Sequence, residues 1–398
     1  MKGLTVTLQL SVSRPRLAAG LARAALGLAL SGAAALAIAQ DTLKIGAIYS
    51  TSGPGSFLGA PEERALRMRV DEVNKAGGWN GRKLEVIVYD TEGNTGKAAQ
   101  QMRRLATVDN VHVIFGPSSS GESLATIGLA NELKVPVLMH GGAEAITKPP
   151  TPYVFNTPPS DRIALSGLLA YMKKAGITSV AMLSAADGFG QSGKNVLAEI
   201  APSYGVKVAL QEEFNRQDTD ITAQVLKAKE SNADAMLIWS ALPAPVIILR
   251  AAQTVGYSKP IFTSYGAGTN DLVAQAGGAA EGLYLYSLRM LSPESVPAND
   301  IAKGAITQLS AEYMQRYKVP APVYSQHAFD AFLILEKAVA KITGPLTRDA
   351  IRDAIEKVEV SGTNGYFRFS PQNHGGLDAQ SRSFVMLRSV KGKWVAAE

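Results

Sequence analysis

Residues 111–133 read VHVIFGPSSSGESLATIGLANEL: a short apolar strand, a turn of glycine, proline and three serines, then an apolar helical stretch. Residues 111–115 are apolar at nearly every position and do not alternate, as in a strand covered on both faces. In the turn, Gly116 permits close approach of the backbone to another group. Ser118, Ser119 and Ser120 add hydroxyls, and the helix start adds unpaired N–H groups. Together these suit one carboxylate of a ligand. The same serines would equally serve as a plain helix cap.

Outward from this stretch the strand–turn–helix unit repeats. Upstream, residues 43–48 form a strand, 50–59 a glycine- and serine-rich loop, 61–76 a helix, 84–88 a strand and 98–106 a helix. Downstream the rhythm restarts, with strands over 179–184, 206–211, 235–239 and 261–262 separated by helices over 193–204, 220–230 and 244–255. Such alternation with continuously apolar strands predicts an α/β chain with largely parallel sheets. Residues 302–317, 325–339 and 347–355 predict three further helices, the last capped by Thr347, and residues 366–394 are strand-like. A chain of 398 residues exceeds what a single core usually serves, so two lobes are expected.

Parallel sheets gather ligand-binding loops at the carboxyl ends of their strands. Five loops stand there. The first is 115–122, with Ser118, Ser119 and Ser120. The second, 137–144, offers His140, Gly141 and Gly142 to a ligand, although a histidine there would also satisfy backbone carbonyls. The third, 185–193, sets Phe189 between glycines, well placed to cover an apolar ligand face. The fourth, 239–244, contributes Ser240, and the fifth, 263–269, contributes Tyr265, which with Phe189 would flank a planar ligand. Phe57, in the 50–59 loop, is expected at the rim of the site.

Enzyme chemistry finds little support. The chain has no cysteine and four histidines, and His140, His327 and His374 show no metal-ligand spacing. No G-x-S-x-G elbow, no G-x-G-x-x-G after the first strand and no Walker loop is present. No catalytic residue, metal or cofactor is expected.

Lys2, Arg14, Arg16 and Arg23 precede an apolar run over 24–36, and Ala37-Ile38-Ala39 offers the small residues an export peptidase reads. This predicts a signal peptide over 1–39, cleaved after Ala39, and a periplasmic location. The run is too short and too rich in alanine and glycine for a membrane span. Losing this segment lowers the formal net charge from +6 to +2. No dense Lys/Arg cluster stands out, so no nucleic-acid partner is expected.

Leu43-Lys44-Ile45-Gly46, Thr51-Ser52-Gly53-Pro54, Val73-Asn74-Lys75-Ala76-Gly77-Gly78 and Val88-Tyr89-Asp90-Thr91 resemble the periplasmic leucine/isoleucine/valine-binding proteins. Gly116-Pro117-Ser118-Ser119-Ser120, Val135-Pro136-Val137, Asp187-Gly188-Phe189-Gly190 and Ala328-Phe329-Asp330-Ala331 continue the likeness in order and spacing. It spans essentially the whole chain after the signal peptide. It implies a type I periplasmic binding protein fold, α/β, with two Rossmann-like lobes, parallel-rich sheets and a three-crossover hinge. One lobe is expected over 40–157 and 287–358, the other over 158–286 and 359–398. It implies an extracytoplasmic monomer that closes around a small solute and docks on the membrane permease of an ABC importer with its cytoplasmic ATPase.

The resemblance also implies site chemistry. In the amino-acid binders a serine in the loop corresponding to Ser118–Ser120 holds the ligand carboxylate. Their second loop usually reads Ser-Pro-Ala-Ala-Thr, where this chain has His140-Gly141-Gly142-Ala143-Glu144, and Phe189 stands where a tyrosine is usual. Their fifth loop carries an acid that pairs with the ligand ammonium, and Tyr265-Gly266 stands there instead. A buried ammonium without an anion is costly, and Glu144 and Asp187 are the candidates to replace it. The expected solute is therefore a carboxylate with an aromatic body, in keeping with the ending 369–378, which resembles an aromatic-acid subgroup. Uptake of a branched-chain or other amino acid or amide, and a ligand-presenting sensor role, are the alternatives.

Overall fold

Five strands form the first sheet of the computed structural model, which describes residues 1–5, 7–9 and 42–397. The apolar run and cleavage point of the expected signal peptide lie outside the described residues. The strands are β1 (Leu43–Tyr49), β2 (Leu84–Asp90), β3 (Val113–Phe115), β4 (Val137–Met139) and β5 (Val154–Asn156), all parallel, in the order β2-β1-β3-β4-β5. Leu43, Ile45, Phe115, Leu138 and Phe155 are buried on one side of it with α10 (Ser325–Val339). Ile48, Ile114, Val137 and Met139 are buried on the other with α2 (Thr95–Thr107) and α3 (Ser120–Glu132). Burying each such side chain is worth about 1.5–3 kcal/mol. Coverage on both faces explains why the strands do not alternate.

The second sheet repeats the pattern. β6 (Ser179–Ala185), β7 (Lys207–Phe214), β8 (Ala235–Trp239), β9 (Ile261–Thr263) and β10 (Tyr284–Leu288) are parallel in the order β7-β6-β8-β9-β10. β13 (Phe384–Val390) and β14 (Lys393–Ala396) extend the β10 edge antiparallel. In each sheet the strand order reverses beside the first strand, between β1 and β3 and between β6 and β8. Crevices at such reversals are where open α/β sheets bind ligands.

The chain passes between the sheets three times: after β5, after β10, and ahead of β13. The third passage lies later than expected. Residues 359–368 form a hairpin of β11 (Glu359–Gly362) and β12 (Gly365–Arg368), and Phe367, Phe369 and Leu377 are buried with Leu43, Phe115 and Phe155 under the first sheet. The chain joins the second sheet only at Phe384, so the expected boundary at 358/359 moves to about 378–383. The apolar Phe367 and Phe369 decide this, since they complete the core beneath α10.

A second difference concerns the 50–59 loop. Helix α1 (Ser56–Lys75) begins inside it, with Pro61 within the helix, after a single 3₁₀ turn at Gly53–Gly55. Phe57 therefore lies in the first helical turn and packs edge-on against Tyr324, with ring centroids 5.6 Å apart. Thr347 does cap α11 (Arg348–Ile355), accepting from Ala350 N.

Candidate functional site

The loops after β2, β3, β4, β6, β7, β8 and β9 converge on one cavity of about 330 Å³. That lies at the small end of the usual range of about 300–1,000 Å³ for ligand pockets. From the first sheet it is lined by Ser118, Ser119, Ser120, Glu122, His140, Gly141 and Gly142. From the second come Asp187, Phe189, Arg216, Ala241 and Tyr265, with Tyr324 and His327 between. Eight of the ten residues expected from sequence are thus brought together. Ser240 is not among them: it is fully buried, its Oγ donates to the Ala241 carbonyl, and its neighbour Ala241 faces the cavity instead. Phe57 is the other exception, turned by its helix onto Tyr324.

The three serines line the cavity, but their hydroxyls are committed within the protein. Ser118 Oγ donates to Glu62 and accepts from Ser50 N. Ser119 caps α3, accepting from Glu122 N and donating to Glu122 Oε2 at 2.5 Å. Ser120 Oγ accepts from Gly142 N at 3.0 Å and from Ala143 N at 3.1 Å, so it shapes the second loop rather than facing a ligand as a free donor. Glu122, fully buried, gathers hydroxyls from Ser50, Thr91 and Ser119. The spacing of Ser119 and Glu122 is that of a capping box, the one sequence signal that would have drawn Glu122 into the site.

Beneath this wall lies a second buried group. Glu62, from α1, is fully buried and accepts from Ser118 through Oε2. Its Oε1 lies 3.0 Å from His140 Nδ1, without the alignment of a straight hydrogen bond, and 3.4 Å from His327 Nδ1. Burial pushes the Glu62 carboxyl up and the His327 imidazole down, and holds His140 at about 3. Both imidazoles are therefore neutral at pH 7. His140 also stacks on Tyr49, with centroids 5.5 Å apart. Although far apart in sequence, Glu62, His140 and His327 form the kind of cluster that can hold a metal ion, a grouping that linear spacing of histidines did not reveal.

The opposite wall is aromatic and cationic. Phe189 stacks on Trp239 at 5.6 Å and meets Tyr265 edge-on at 5.4 Å. It sits in the first turn of α5 (Gly188–Ile200), so it is anchored in the core as well as facing the cavity. Asp187 caps that helix, with Oδ1 accepting from Phe189 N and Gly190 N. Arg216 reaches in from the loop after β7, its Nη1 3.5 Å from Asp187 Oδ2 and its Nη2 donating to the Leu242 carbonyl. Nothing in the sequence around Arg216 set it apart, since its place depends on contacts with the loops after β6 and β8. Glu144 does not line the cavity, and its carboxylate holds Arg162 and Lys148.

The two walls touch. Gly188, at the start of α5, lies so close to Gly121 that an added Cβ would be 3.0 Å from its Cα. Ser192 Oγ accepts from Glu144 N at 3.1 Å. These contacts describe a cleft closed over its cavity.

Two sheets of matching strand order, joined by three passages and closed over a lined cavity, define a two-lobed solute-binding protein. The chain belongs to the periplasmic binding protein family, whose model matches residues 42–386. It is a type I periplasmic binding protein of the branched-chain amino acid family, an extracytoplasmic solute-binding protein and not an enzyme. Members of this family are the substrate-binding components that work with ABC transporter permeases. It is 25% identical over 325 residues to a leucine-, isoleucine-, valine-, threonine- and alanine-binding protein of Pseudomonas aeruginosa, covering 81% of this chain and 84% of the relative. An extracellular ligand-binding receptor from Rhodopseudomonas palustris HaA2 superposes with a TM-score of 0.83 at 28% identity, over 90% of this chain and 100% of the receptor. A Streptococcus pneumoniae branched-chain amino acid transporter substrate-binding protein, solved with isoleucine, has the same fold (TM-score 0.78, 24% identity, 90% of this chain and 99% of that one).

Proposed function

We propose that this protein captures a small aromatic carboxylate in the cavity between its lobes and delivers it to the permease of an importer. The observation that carries the reading is the set of charges at the cavity wall. Both acids there have their oxygens engaged, Glu122 by three hydroxyls and Asp187 by a helix cap with Arg216 alongside. Among the described residues lining the space Arg216 is the one guanidinium or ammonium cation, so a ligand carboxylate has a partner, as guanidinium–carboxylate pairing favours. Phe189, Tyr265 and Tyr324 supply an aromatic surface for its body.

A second reading is a branched-chain amino acid, which is what the Pseudomonas relative's name says it binds. Glu122, a buried carboxylate on the cavity wall, would then face the ammonium, opposite Arg216. Calorimetric titration with benzoate, 4-hydroxybenzoate, a phenylpropenoate, leucine and an aliphatic dicarboxylate separates the two. Micromolar or tighter binding of an aromatic acid with leucine silent supports the first; tight leucine binding replaces it with the second.

A further inference from the structure

We propose that Glu62, His140 and His327 form a binding site for a divalent first-row transition metal ion, Zn²⁺ in the first instance, at the floor of the cleft. This goes beyond the solute-binding reading and does not depend on which solute is taken.

The geometry suits such an ion. Metal-ligating atoms at about 2.0–2.1 Å from a tetrahedral Zn²⁺ lie about 3.3–3.4 Å from one another. Glu62 Oε1 lies 3.0 Å from His140 Nδ1 and 3.4 Å from His327 Nδ1, and the three ligand atoms all fall within 4.8 Å of each other. Two imidazoles and one carboxylate are the donor set of open zinc sites, which leave a fourth position for water or an incoming group.

The surroundings point the same way. Among the described residues neither ring nitrogen of His140 has a hydrogen-bond partner, and its side chain is fully buried. Buried polar atoms are normally satisfied, and each exception asks for a reason. A metal would supply one for Nδ1. Ser118 donates to the other oxygen of Glu62, which leaves Oε1 toward the imidazoles and fixes the carboxylate's orientation, as outer hydrogen bonds do around metal ligands. His140 and His327 both line the cavity, so the site would lie at its wall.

The test uses the protein as processed and purified from an exporting host, dialysed against a chelator. Titration with Zn²⁺ at neutral pH is expected to show one saturable site of micromolar or tighter affinity, with Mg²⁺ silent. Co²⁺ is expected to give the intense visible bands of a four-coordinate ion. The double variant H140Q/H327Q and the single variant E62Q, checked for folding by circular dichroism, are expected to bind Zn²⁺ at least 100-fold more weakly. Absence of saturable Zn²⁺ binding and of the Co²⁺ bands in the unaltered protein overturns the proposal, and needs no variant to fold. Undiminished stoichiometric binding by a folded H140Q/H327Q protein overturns it too, by placing the metal elsewhere. The solute panel is run separately on the chelator-treated protein. Solute binding without Zn²⁺ binding sinks this inference alone, and Zn²⁺ binding with a silent panel sinks the solute assignment alone.

Discussion

Tyr265 Oη donates to Asp161 Oδ1 at 3.1 Å, 3.3 Å from the Pro159 carbonyl, while Asp161 N donates to the Gly142 carbonyl at 2.9 Å. One phenol from the loop after β9 thus pins the first passage between the sheets, and through Asp161 the second ligand loop. Tyr265 is at once a cavity wall and a clasp between lobes. Y265F keeps the ring and removes the clasp, leaving Asp161 Oδ1 short of a donor in a buried setting. It is expected to cost about 1–3 kcal/mol, measured as a lower urea midpoint with an unchanged slope.

The same pair sets a pH dependence. Burial pushes the Asp161 carboxyl well above its ordinary range, against the pull of hydrogen bonds from Ser192 and Tyr265. For a carboxyl raised on folding, the native state binds the proton more tightly than the unfolded chain. Its contribution is fully present below the unfolded pKa, about 4, and is lost as pH rises through the folded value. D161N cannot ionise. Its urea midpoint is expected to match or fall slightly below that of the unaltered protein at pH 4 and to exceed it at pH 8. A difference that stays constant across this range would mean that the Asp161 carboxyl does not titrate abnormally.

Gly142 offers a test of closure. A Cβ there would lie 1.9 Å from Tyr265 Oη, an approach that no real side chain tolerates. Since Asp161 holds that hydroxyl in place, G142A must push Tyr265 aside and open the clasp. Solute affinity is expected to fall at least tenfold by calorimetry. Adding Y265F removes the offending oxygen, so the G142A/Y265F protein should bind more tightly than G142A alone. Equal affinities would show that the clash is relieved some other way.

These relations also mark where the sequence stops being legible. The strand–turn–helix rhythm exposed the α/β class and the positions of the ligand loops, because both follow from local periodicity and from the habit of parallel sheets. Ser118, His140, Phe189 and Tyr265 each follow closely after a strand, so they could be found one at a time. The partners of these residues could not. Ser120 is drawn to Gly142 and Ala143, Ser118 to Glu62, and His140 to Glu62 beside His327, all through contacts that only packing creates. Glu62 sits mid-helix in a stretch whose charge pattern reads as a solvated face, yet it is fully buried. Phe367 and Phe369 were hidden likewise: a hairpin reads the same whichever core receives it.

Arg216 carries the last prediction, because it decides the sign of the charge the cavity prefers. Its guanidinium holds Asp187 only loosely, at 3.5 Å, whereas Asp187 keeps its helix-capping bonds through the other oxygen. R216A should therefore leave α5 intact and remove the cation together with its hydrogen bond to the Leu242 carbonyl. A guanidinium–carboxylate pair in a closed cleft is a charge-assisted contact, and its loss is expected to weaken an aromatic acid about 10- to 100-fold, or about 1.4–2.8 kcal/mol. The corresponding neutral amide lacks the charge that Arg216 answers, so its affinity should change by less than about threefold, a small fraction of that energy. R216K should recover part of the acid's affinity, since a point charge replaces the fork without its paired donors. Calorimetry with the acid and its amide on the three proteins reads the difference directly. Equal losses for acid and amide would make Arg216 a wall residue, and would shift the carboxylate to the backbone at the start of α3.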